Sequence, residues 1–275
     1  MPENISVDWP GGTGASCEYP IDPGLKETFQ RALRAMNRAR VPYVVGGAFA
    51  LHWYSGYHRE AKDLDFFLMP EDSGWAMRVL EGVGFNVWRK HPEWMSQAHY
   101  GNAQVDLIYG MGNWLGYVDR VYLQKAKRGL ILDVPAWIMA PEEMIYCKAF
   151  VASRDRYDAA DLQHLLVATG GFLDWDRLLG RFADHWEVLL SHLIMFQYIY
   201  PSHRDAIPDE VLDRLIGRLA EMRRQPWTDG KVCRGFFVDG NGGYKLDVEE
   251  WGYRDVRQEQ WDALQRRLDE EASAA

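Results

Sequence analysis

Apolar and polar positions alternate with two different periods in this chain, and the change between them marks the elements. LKETFQRALRAMNRAR places Leu25, Phe29, Leu33 and Met36 on one helical face, behind an Asp22-Pro23 start signal. Val41 to Val45 reads as a short apolar strand ending at Gly46-Gly47, and AFALHWYSG as a short helix that stops near Gly56. DLDFFLMP is predicted to be a strand closed by Pro70, and SGWAMRVLEGVG a helix with a serine cap and a glycine stop. FNVWRK, MSQAHYG and NAQVDLIYG read as strands, the last two forming a hairpin at Gly101-Asn102. GLILDVP reads as a further short strand. The order of elements predicts an α+β fold, a mixed sheet covered on one face by helices.

From Pro141 the pattern becomes helical. PEEMIYCKAFVASRDRYDAADLQHLLVATGG holds one or two helices, WDRLLGRFADHWEVLLSHLIMFQYIY another and DEVLDRLIGRLAEMRRQ a third. The tail reads as a hairpin around Asn241-Gly242-Gly243. Three regions follow: an irregular arm over 1–21, an α/β core over 22–140, and a mainly helical region with a terminal hairpin over 141–275.

Composition narrows the setting. A net charge of −9 argues against a general nucleic-acid-binding surface, while leaving room for a small basic pocket. The three cysteines, Cys17, Cys147 and Cys233, lie far apart, which fits a reducing compartment without a disulfide framework. The N-terminus lacks a basic segment followed by an apolar one, and no apolar run reaches the length of a membrane span. A cytoplasmic protein is expected. The twelve tryptophans are more than packing usually needs, so some are candidates to line a pocket for a flat ligand.

The candidate chemistry starts at Asp63 and Asp65, which project to the same face of a strand while Leu64, Phe66 and Leu68 go to the other. Two carboxylates this close repel unless a cation sits between them. Asp106 in QVDLIY is again a lone acid opposite an apolar face. If its strand pairs beside DLDFFL, three carboxylates converge, a ligand set suited to Mg²⁺ with phosphate oxygens filling the rest of its shell. Gly46-Gly47, between a strand and a helix, allows close backbone approach and presents free N–H groups to an anion. GVG at Gly82 to Gly84 follows a helix and reads as its termination. His91, His99, His164 and His185 have no metal-ligand spacing with the cysteines and read as ordinary polar residues.

VVGG…KDLDFF…VDLI resembles the nucleotidyltransferase superfamily related to DNA polymerase β, over roughly residues 25 to 165. Within it, VPAWIMAPEEMIYCKAFVASRDRYDAADLQHLL resembles bacterial members akin to abortive-infection toxins, through Lys148, Arg154, Asp158 and Asp161. The sequence departs from that pattern in the long Gly47–Asp63 gap, in Ala61 where relatives carry a hydroxyl, and in Tyr157 where several carry a basic residue. The resemblance implies an EC 2.7.7-type enzyme using an NTP and two Mg²⁺ ions. It implies that Asp63, Asp65 and Asp106 are metal ligands and catalytic residues, with Asp106 also a proton acceptor. Gly46, Gly47, Arg59, Lys62 and Lys148 are the implied phosphate contacts. Arg59 and Lys62 have a surface pairing with Glu60 as an alternative, and Arg154, Asp158 and Asp161 also fit a salt-bridge ladder.

The acceptor hydroxyl stays open between a small molecule, a protein side chain and an RNA end, and its choice is expected to lie in the helical rear half. A catalytically silent nucleotide-binding or antitoxin-like module and a phosphohydrolase are the competing readings.

Overall fold

The computed structural model describes residues 19–113, 115–152, 156–234 and 250–256, together with 259, 262 and 266. Most of the arm, Cys17, Arg154 and the tail hairpin fall outside the described residues.

Helix α1 (Pro23–Ala39) starts where Asp22 accepts hydrogen bonds from the Gly24 and Leu25 amides. It buries Phe29, Leu33 and Met36 completely. Strand β1 is only Val44–Val45, and α2 (Gly47–Ser55) follows at once. β2 is Asp63–Phe67. A single tight turn over Pro70–Asp72 leads into α3 (Ser73–Glu81), so Ser73 lies inside the helix and is buried rather than capping it. β3 (Asn86–His91), β4 (Met95–Tyr100) and β5 (Ala103–Ile108) form a meander, with the expected turn between β4 and β5. A short α4 (Arg120–Gln124) follows.

The segment GLILDVP is not one strand. β6 (Lys127–Ile131) and β7 (Val134–Ile138) form a hairpin about Leu132 and Asp133, both in the left-handed region at φ 49° and 63°. Two consecutive positive φ values make the turn that matches strand twist, and this turn lacks the usual Asn-Gly signature. Tertiary contacts hold it instead. Gln30 Nε2 donates to Leu132 O at 2.7 Å, and Lys26 pairs with Asp133 at 2.9 Å.

The seven strands run β3-β4-β5-β2-β1-β7-β6. β2 is antiparallel to β1 and parallel to β5, so the sheet is mixed. Helices α1 and α3 pack on one face, over Leu64, Phe66, Ala98, Val105 and Leu107. The fold class is therefore the expected α+β one.

The helical part consists of α5 (Pro141–Ala149), α6 (Ala159–Thr169), α7 (Trp175–Phe182), α8 (Trp186–Ile199) and α9 (Asp209–Met222). The stretch expected as one long helix breaks at Ala183, whose φ of 40° ends α7 before α8 begins. Buried side chains from α5 to α9 join those of the sheet in one continuous apolar cluster.

Within that cluster lies a buried ionic network. Glu143 is fully buried and accepts two 2.7 Å bonds from Arg177, which also pairs with Glu142. Arg181 bridges Glu143 to Asp119, tying α5 and α7 to the start of α4. No helix among the described residues is long and apolar enough to cross a membrane.

Candidate active site

The site is assembled by the β2–β5 pairing. In the parallel register Asp65 stands directly opposite Asp106, and Asp63 opposite Gln104. Direct partners share a face, so the three acids emerge together on the face away from α1 and α3. One carboxylate oxygen from each lies within 4.8 Å of the other two.

Among the described residues, no lysine or arginine forms an ion pair with any of the three. Burial, then the charges of Asp63 and Asp106, push the Asp65 carboxyl up to about 7, against weaker opposing influence from Lys148 and Arg156. Asp106 is 7% exposed and is also raised, by burial and by Asp63. Its Oδ1 accepts amide hydrogens from Gln97 Nε2 at 3.0 Å and Gln104 Nε2 at 2.9 Å. Those two bonds fix the carboxylate plane and leave Oδ2 for a ligand. A divalent, oxygen-seeking cation fits this set, because it supplies the charge that the carboxylates otherwise lack.

The glycine pair meets the same aspartate. Gly46 N–H donates to Asp65 O at 3.1 Å. Gly47 has φ +58°, and a Cβ there would stand 1.7 Å from Asp65 Oδ2. Only glycine suits that position, in conformation and in space. No side chain caps the first turn of α2, so its leading N–H groups are open to an anion.

Around this centre runs a chain of alternating charges. Lys148, 7% exposed on α5, donates to Asp161 Oδ2 at 2.6 Å and Asp158 Oδ2 at 3.1 Å. Arg59 pairs with Asp161 at 3.4 Å, not with Glu60, and Arg156 makes two 3.0 Å bonds to Asp158. Burial alone would raise the Asp158 carboxyl, but bonds from Arg156 and the charges of Lys148 and Arg156 bring it down to about 2. Lys62 is exposed just ahead of β2. Gln97, Gln104 and Arg156 carried no recognisable signal in the sequence. Each is an isolated polar residue whose role appears only once strand register and loop path are known.

No family model matches the sequence, and no curated protein matches it. Among solved structures, the chain is similar to the antibiotic-resistance factor ANT(2'')-Ia, at 17% identity over 62% of this chain and 98% of that one, with a TM-score of 0.47. It is similar to a lincomycin-bound lincosamide antibiotic adenylyltransferase, LnuA, at 15% identity over 52% of this chain and 97% of that one, TM-score 0.41. It is similar also to an antigenic nucleotidyltransferase-like protein from Paracoccidioides brasiliensis, at 13% identity over 66% and 93% of the two chains, TM-score 0.41. These likenesses to nucleotidyltransferases are distant, and the chemistry of the site rests on its own residues.

Proposed function

We propose that this chain is a metal-dependent nucleotidyltransferase, moving an NMP group from an NTP to a hydroxyl acceptor. The observation that carries the reading is the convergence of three carboxylates beside an uncapped helix N-terminus opened by Gly47. Asp63, Asp65 and Asp106 would hold Mg²⁺, which supplies charge neutralisation for a triphosphate when bound.

The remaining work falls to the chain itself. The α2 N-terminus binds phosphate oxygens through backbone N–H groups, with Arg59, Lys62 and Lys148 adding positive charge. Asp106, held in plane by its two glutamines, accepts the proton of the attacking hydroxyl. The acceptor oxygen bonds to the α-phosphorus as the bond to the bridging oxygen breaks, and pyrophosphate leaves. Residues 22–140 carry most of this machinery. Lys148 and the Asp158–Asp161 turn, from beyond residue 140, supply its rim. Placement in a toxin-like branch rests on the sequence likeness around Lys148, Asp158 and Asp161 alone.

Calorimetric titration with Mg²⁺ and each NTP tests the proposal. Nucleotide binding is expected to require metal and to disappear in Asp63→Ala and Asp65→Ala. Binding that ignores both the metal and the two substitutions would sink it.

A further inference from the structure

Helix α8 carries more apolar side chains than its own core uses. Its inner face buries Trp186, Leu189, Leu190, Leu193 and Phe196. His192, also buried, donates from Nε2 to Ala149 O at 2.9 Å, one residue beyond Lys148 on α5. A helix packed this way at a surface turns a polar face to water. The outer face of α8 instead exposes Ile194, Met195, Tyr198 and Ile199. Tyr198, at 82%, is the most open large apolar side chain among the described residues.

Ile194 and Tyr198 are an i, i+4 pair, as are Met195 and Ile199, so the four make one contiguous patch. Single exposed apolar residues are ordinary, whereas a contiguous patch marks an interface. Glu187 and Ser191 extend the same face toward the start of the helix.

We propose that this face joins two copies of the chain, with their α8 helices packed antiparallel across a two-fold axis. The inference is independent of the nucleotidyl-transfer reading. Its basis is that the patch is self-complementary. An axis between Phe196 and Gln197 sets Met195 of each copy against Tyr198 of the other, and Ile194 against Ile199, so the patch covers itself. Charge agrees with that direction. Glu187, which lies 3.6 Å from Arg234 in its own chain, approaches the far end of the second α8. There the turn PSHRDA exposes His203 and Arg204 beside a single acid, Asp205. Antiparallel packing also places opposite ends of the two helix dipoles together. Because α5 and Lys148 lie behind the inner face of α8, such an interface leaves the aspartate centre open in both copies.

Sedimentation velocity on the full chain tests the proposal. One helix pair is a small interface, so a dimer with a dissociation constant on the order of 10 μM is expected. Dimer should dominate at about 100 μM and dissociate on dilution. Tyr198→Ala should raise the dissociation constant about tenfold or more. Ile194→Lys and Ile199→Glu should each leave a monomer, with circular dichroism unchanged because both side chains are exposed. Mixing those two variants should restore a dimer, since the axis sets the new lysine of one against the new glutamate of the other. A monomer at every concentration, or a dimer untouched by all three substitutions, overturns the proposal. A monomer that binds phosphatidylcholine vesicles through Tyr198 assigns the face to a membrane and overturns it as well. Variants that stay monomeric when mixed overturn the antiparallel register.

Discussion

Replacing Asp65 with asparagine should stabilise the metal-free protein while destroying its metal site. The Asp65 carboxyl is raised from 3.8 to about 7, by burial first and then by Asp63 and Asp106. Because the folded value lies above the unfolded one, its ionisation opposes folding. The stability it contributes is complete below 3.8 and is lost as pH rises through about 7. At 1.36 kcal/mol per pH unit, the shift corresponds to an upper bound of about 4 kcal/mol. The carboxylate is half-buried on an open face, so screening and relaxation leave about 2 kcal/mol. Asparagine keeps the shape beside Gly47 and removes the charge. Thermal unfolding in chelator at pH 8 should therefore show Asp65→Asn melting roughly 4–6 °C above wild type. The gap should narrow at pH 5, where the folded carboxyl is protonated but the unfolded one is still ionised, and close only below 3.8, and Mg²⁺ should raise the wild-type Tm alone. An equal or lower Tm for the variant at pH 8, or the same gain at both pH values, would refute the reasoning.

Three further outcomes follow from other parts of the structure. Gly47→Ala drives a methyl into the space of Asp65 Oδ2 at a positive φ, so NTP turnover should fall by about 100-fold or more, with circular dichroism little changed. Arg177→Met strips the buried Glu142 and Glu143 of their shared partner and should cost about 3–5 kcal/mol in urea unfolding, with Glu143→Gln added to it recovering part of the loss. Asp158, held down at about 2, contributes stability that is present above its ordinary value and lost as pH falls through about 2. Lys148→Met should let its carboxyl rise, moving acid unfolding followed by fluorescence to higher pH, besides costing about 3 kcal/mol near neutrality.

The sequence pointed to the three carboxylates that the structure brings together, but it could not supply their arrangement. Period-2 alternation in DLDFFL and QVDLIY put each acid opposite an apolar face, and that held because one face of β2 and β5 is buried under α1 and α3. The side-by-side pairing of these strands comes from tertiary packing across a long connection, which no local pattern encodes. Charged residues on a helix are usually solvated, and α5 shows the limit of that rule. Glu142, Glu143 and Lys148 are all buried there because Arg177, Asp158 and Asp161 reach them from distant elements. The turn at Leu132-Asp133 and the break at Ala183 were missed for a related reason. Non-glycine residues hold positive φ at both places, so the usual turn chemistry gave no warning.

The most direct test of the central claim is to follow the two ends of the NTP separately. Protein, Mg²⁺ and a cell extract would be incubated in parallel with α-phosphate-labelled and γ-phosphate-labelled NTP. The account predicts a product that carries the α label and never the γ label, pyrophosphate released in step with it, and neither event with Asp63→Ala or Asp65→Ala. Transfer of the γ label, or pyrophosphate release that persists without an acceptor fraction, would contradict it.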